Sequence, residues 1–322
     1  MNDDYLWDRS GAPDPEIEHL EQALSALRYR HRAGLAGQTV ERPRRWQAIA
    51  AAAALVLAAA GLSRLPAPAS PATAWRVDSL AGEARLGTRE AAVAMPLGAG
   101  QLLATGSDAA VTLSSSSIGR IELGPDSELR AATDRRVRLR RGQLRALIWA
   151  PPREFILDTP SARAIDLGCE YTITMNESGD GLLRVHMGWV AFRSGGRESF
   201  IPAGAQCATS RRGGPGIPYY GDAPASLTQE LGALERGETG ALPSLLVAAR
   251  PRDGLTLWHL LSRVPPQGRA VVYDRLAQLV PLPREVSRAG IERGDARMLD
   301  LCWNALNLEN TEWWRGWERR WE

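Results

Sequence analysis

The chain contains no lysine: all 39 of its basic residues are arginine. That absence excludes the phosphate-gripping lysine of a P-loop, the Schiff-base lysine of pyridoxal chemistry and the strand lysine of a protein kinase. Cysteine is scarce. Three residues in 322 cannot build a dense disulfide framework, and no Cys-x-x-Cys zinc knuckle occurs. Histidine is almost as rare, with His19, His31, His186 and His259 the whole supply. The paired imidazoles of a cupin-like metal site are missing, and no convergent set of acid, base and nucleophile is visible. No enzyme and no cofactor are expected. Excess positive charge is lacking too. A formal charge of +2 is too small for a nucleic-acid binder that relies on bulk positive charge.

What remains is a globular composition, 44% apolar and 24% charged, at a length that suits about two domains. One apolar run stands out. Trp46 to Leu62 carries no charge and would span roughly 25 Å as a helix, which flanking Leu65, Arg45 and Arg64 extend toward the bilayer thickness. The expectation is a transmembrane helix over 46–65. Arginines are denser before it than after it, which puts 1–45 in the cytoplasm and the rest in the periplasm of a bacterial inner membrane. Forty-five residues are too long for the n-region of a signal peptide, so the anchor is expected to stay uncleaved.

Within 1–45, Asp14-Pro15 reads as a helix start. Ile17, Leu20, Leu24 and Leu27 follow at three- and four-residue spacing and form one apolar stripe. A single helix cannot bury that stripe alone, so it is the candidate cytoplasmic partner face. Residues 66–74, PAPASPATA, read as a stiff linker.

From Trp75 to residue 210 the pattern becomes short alternating runs split by glycine and proline, the mark of an all-β sandwich, barrel or roll. Gly100-Gln-Leu102, Gly142-Gln-Leu144 and Gly188-Trp-Val190 each open an apolar run, at recurring spacing. Arg136, Arg138 and Arg140 alternate with Val137 and Leu139, which predicts a solvated face protecting a sheet edge, the alternative being an anion or acidic-partner site. Ser114 to Ser117 lacks a nucleophile elbow and reads as a turn. Cys169 and Cys207 each lie in or beside an expected strand. They are the candidate disulfide of an exported domain, the alternative being two buried thiols.

An ordered set of short pieces runs through this region. It includes Trp75-Arg-Val77, Leu97-Gly-Ala-Gly100-Gln-Leu-Leu-Ala-Thr105-Gly106 and Ile121-Glu-Leu123-Gly-Pro125-Asp-Ser127-Glu-Leu129. Gly142-Gln-Leu144, Phe155-Ile-Leu-Asp158-Thr159-Pro160, Leu167-Gly168-Cys-Glu170-Tyr171-Thr-Ile173, Val185-His-Met-Gly188-Trp-Val190 and Ile201-Pro-Ala-Gly204-Ala continue it. In order and spacing this set resembles the FecR domain family, from whose usual threonine and phenylalanine Cys169 and Tyr171 depart. The resemblance implies a periplasmic β domain behind one membrane helix, relaying a signal to a cytoplasmic sigma factor through the N-terminal segment.

Arg211 to Pro224 is turn chemistry, so 211–226 reads as a linker to a small all-α domain over 227–322. Stripes such as Leu227, Leu231 and Leu234, then Leu257, Trp258, Leu261 and Val264, carry the helical period. At the end the spacing of Trp313, Trp314, Trp317 and Trp321 puts most of these rings on one helical face, a candidate aromatic docking face, the alternative being a terminal helix docked onto the bundle. The whole reads as a single-pass signalling regulator whose partners are a sigma factor or similar protein, an unknown periplasmic protein or ligand, and membrane lipid, without nucleic acid. The alternative is a membrane-anchored periplasmic binding or scaffold module with no sigma-factor partner.

Overall fold

The computed structural model describes residues 75–308, which lie in the compact unit Pro68–Glu322. The first strands are β1 (Trp75–Ala81), β2 (Ala84–Leu86), β3 (Arg89–Glu90), β4 (Pro96–Leu97), β5 (Leu102–Thr105), β6 (Ala110–Ser115), β7 (Gly119–Leu123), β8 (Glu128–Ala131) and β9 (Arg136–Ile148). Then come β10 (Ile156–Asp158), β11 (Arg163–Asp166), β12 (Glu170–Met175), β13 (Gly181–Met187), β14 (Trp189–Ser194), β15 (Arg197–Pro202), β16 (Ala205–Ser210), β17 (Gly214–Pro215) and β18 (Tyr219–Tyr220). The helices are α1 (Ala225–Glu235), α2 (Leu242–Ala248), α3 (Gly254–Leu261), α4 (Pro266–Leu279), α5 (Arg288–Arg293) and α6 (Ala296–Ala305).

Two hydrogen-bonded paths cross at β9. One runs β4–β1–β6–β7–β9–β12–β13–β16. The other runs β3–β2–β5–β8–β9–β10–β11–β14–β15. The β9–β10 ladder is parallel and the rest are antiparallel, so the 18 strands form one mixed sheet.

That parallel pairing forces β9 to bend. Ile156 pairs with Arg136, at the far end of β9 from Ile148. A straight strand would put Arg136 and Ile148 about 40 Å apart. The eight-residue connection from Ile148 to Ile156 reaches at most about 29 Å. The bend falls at Gly142, whose φ of +92° suits glycine, and a Cβ there would overlap Ser127 Oγ. The inward parity changes at the same place. Val137 and Leu139 face the core before it, and Leu144, Ala146 and Ile148 after it. One strand can therefore serve both halves of the sheet with an apolar face in each.

The helices continue the same core. All eight residues of α3 are buried, which marks a central helix. Trp303 on α6 lies 5.8 Å from Trp189, 5.7 Å from Phe200 and 4.6 Å from Trp258, measured between ring centres. Asp295 caps α6 by accepting from the Met298 amide at 3.0 Å.

The expected fold class is corrected by this architecture. In place of an all-β sandwich or roll with a separate small all-α domain, one mixed sheet and its helices share a single hydrophobic cluster. The stretch read as a linker contributes β17 and β18, which pair with β16. No helix among the described residues is long and apolar enough to cross a membrane. The longest, α4, has 14 residues and spans about 21 Å against a hydrocarbon core of about 30 Å. The expected localisation, a single-pass inner-membrane protein with a periplasmic C-terminus, is corrected on the same finding. The N-terminal amphipathic helix and the transmembrane helix expected at 46–65 lie outside the described residues.

Candidate functional site

The arginines around β9 do not guard an edge, because β7, β8, β10 and β12 flank that strand. They pair across strands instead. Arg136 Nε donates to Asp158 at 2.6 Å, and Arg163 Nε donates to the same carboxylate at 2.9 Å. Arg140 Nη2 reaches Glu128 at 2.8 Å, Arg141 Nε reaches it at 3.0 Å, and Arg145 Nε reaches Glu170 at 2.8 Å. The Arg140 hydrogen bond, joined by Arg141, holds the Glu128 carboxyl down at about 2 against the desolvation of partial burial. In these pairs the guanidiniums stay largely exposed while the carboxylates are mostly covered, and the pairing leaves few charges available to a partner.

The cysteines do not meet. Cys207 pairs across from Leu183, and Leu183 from Ile173, four residues beyond Cys169. Two strand spacings and four residues separate the Cα atoms by about 16 Å, far beyond disulfide reach. Both are free, buried thiols, so the candidate disulfide does not form in this fold. Cys169 Sγ donates to Asp166 Oδ2 at 2.5 Å, and the Gly168 amide donates to Oδ1 at 2.7 Å. Burial raises Asp166 to about 7 despite these bonds. Tyr171, also fully buried, has a hydroxyl with no partner among the described residues. His186 is exposed on β13 and meets Thr172 Oγ1 at 2.8 Å. Ser116 and Ser117 turn between β6 and β7, while Ser114 and Ser115 close β6. The candidate partner face Ile17, Leu20, Leu24 and Leu27 and the aromatic face Trp313, Trp314, Trp317 and Trp321 lie outside the described residues.

A recess of about 590 Å³ opens where sheet meets helices. Its walls are the turn before β15, strands β15 to β17, the C-terminal end of α1 and the chain leaving α3. Phe200, Trp258, Ile217 and Val264 supply apolar surface; Arg197, Arg263 and Glu235 supply charge. Arg263 Nη2 donates to the Glu198 carbonyl and to Ser199 Oγ, both at 3.2 Å. Its Nε is buried without a partner among the described residues. Burial lowers its pKa, and the nearby Arg197 lowers it further. Arg197 gives one bond, from Nη1 to the Gly213 carbonyl at 2.9 Å. Glu235 Oε1 accepts from the Ile217 amide at 2.7 Å, and burial raises its pKa. Gly216 makes room for that carboxylate, since a Cβ there would overlap Glu235 Oε1.

His259 sits beneath this recess with both ring nitrogens committed. Nε2 accepts from the Phe200 amide at 3.1 Å, and Nδ1 donates to the Leu255 carbonyl at 2.8 Å. Burial holds it at about 3, so it is neutral over the physiological range. No sequence pattern pointed to the recess. The usable signal was Glu235, an exposed residue one helical turn after the buried Leu231 of α1.

No family model matches the chain, and no curated protein matches it. Solved structures that resemble it distantly include two of the same description. One, described as "a putative anti-sigma factor" from Parabacteroides distasonis ATCC 8503, aligns at a TM-score of 0.34 with 16% identity. That alignment covers 42% of this chain and 65% of the other. A second structure under the same description aligns at 0.33 with 14% identity, covering 40% and 62%. The chain thus spans less than two thirds of either, and likeness at this level carries no argument about function.

Proposed function

We propose that this chain is a non-enzymatic regulatory binding protein that acts on a sigma factor by protein–protein contact. The observation that carries the binding reading is the chemistry of the recess. Two guanidiniums and a carboxylate line an apolar hollow, and the imidazole beside it has both nitrogens engaged with backbone. Such a set can hold a charged group, but it contains no base aligned on a nucleophile. The sigma-factor partner rests on the ordered FecR-like pieces from Trp75 to Ala205 and on the apolar stripe Ile17, Leu20, Leu24 and Leu27.

The test is binding of the full chain to each sigma factor of its own genome, purified singly. One sigma factor is expected to bind, and binding is expected to disappear in the Leu20→Asp, Leu24→Asp double variant while the unfolding midpoint stays unchanged. Absence of binding to every member of the panel, or equal binding by the double variant, overturns the assignment.

A further inference from the structure

We propose that the recess between β15–β17 and the ends of α1 and α3 binds a small organic monocarboxylate with an apolar body, its carboxylate held by Arg263 and Arg197. This rests on the binding reading of the recess and not on the sigma-factor partner. The volume of about 590 Å³ suits a ligand of drug-like size.

The charge points to an anion. Arg263 has no ion pair among the described residues, bonds only two neutral oxygens at 3.2 Å, and leaves Nε bare in a buried setting. A guanidinium desolvated in this way gains most from a carboxylate, which takes two parallel N–H bonds and restores the lost hydration. Arg197, close enough to depress the Arg263 pKa, is likewise without an ion pair among the described residues. An anion between them would remove their mutual repulsion. The Glu198 carboxylate is already paired with Arg193, so it does not neutralise the recess.

Glu235 sets the valence. Its carboxylate stays on the Ile217 amide and faces both arginines without a salt bridge to either. Two cations and one anion leave a single positive charge, which matches a monoanion better than a phosphate dianion. The apolar body follows from Phe200, Ile217, Trp258 and Val264, which offer aromatic and branched surface on the same recess.

Calorimetric titration of the full chain with 3-phenylpropionate and with neutral 3-phenylpropionamide tests the proposal. The carboxylate is expected to bind with a dissociation constant on the order of 0.1 mM. The amide is expected to bind at least about tenfold more weakly, because it cannot engage a bidentate guanidinium as an anion does. Arg263→Gln and Arg197→Gln should each weaken the carboxylate by about tenfold, and Arg120→Gln, remote on β7, should leave it unchanged. If Arg263→Gln fails to fold, Arg197→Gln decides, since that side chain is exposed and bonds only one carbonyl. No binding up to about 10 mM, equal affinity for the amide, or wild-type affinity in a folded Arg197→Gln variant overturns it. Carboxylate binding that persists without any sigma-factor capture removes the partner reading and leaves this site standing.

Discussion

Replacing Asp166 by asparagine isolates a strong buried electrostatic burden. The carboxyl is 1% exposed and is raised from 3.8 to about 7, chiefly by burial. The folded state therefore holds a proton that the unfolded chain has released between those pH values. Stability from this group is fully present below pH 3.8 and is lost as pH rises through about 7. A shift of about three units at 1.36 kcal/mol each sets a ceiling of about 4 kcal/mol. Asparagine keeps an oxygen for the Gly168 amide and cannot ionise. The assay is urea unfolding of both proteins from pH 4 to pH 8. Subtracting the Asp166→Asn curve cancels every other titrating group. The difference is expected to fall by about 2–4 kcal/mol across that window, with the variant gaining relative stability at the alkaline end. A flat difference would refute the reasoning, because it would mean that Asp166 is as well solvated folded as unfolded.

Three further outcomes are expected. Gly142→Ala should destabilise by about 2–4 kcal/mol in urea titration, whereas Gly168→Ala, strained in φ but with open space, should cost about 1 kcal/mol; equal costs would contradict the bend. Trp303→Ala should cost about 3–5 kcal/mol and lower strand and helix signals in one transition, since its ring touches both; two separate transitions would deny the shared core. Native Cys169, Cys207 and Cys302, all buried with pKa values raised first by burial, should resist a thiol reagent until the chain is unfolded, and mass analysis should show no disulfide; a bond between Cys169 and Cys207 would contradict the β12–β13–β16 strand register.

The difference between what was legible and what was not lies in the range of the interactions. Alternation in Val137-Arg-Leu139 and in Tyr171-Thr-Ile173, and the stripes Leu227, Leu231 and Leu257, Leu261, report local burial, so strands and helices were readable where they occur. The three glycines that open apolar runs, Gly100, Gly142 and Gly188, proved to share a positive φ. The arginine pattern around β9 was readable as a solvent face, but its neighbours were not. Whether a strand stands at an edge depends on pairing partners far away in the chain.

By itself the sequence determined the order of strands and helices, because hydrophobic period and proline breaks act over a few residues. Only the tertiary structure decided that β9 bends and belongs to both halves, that Cys169 and Cys207 sit two strands apart, and that Arg197, Glu235 and Arg263 meet at one recess. Those three are separated by 66 residues of chain that folds back twice, and no local pattern encodes such a meeting. It arises when the apolar faces of sheet and helices close on one core and carry the charged residues at their margins together.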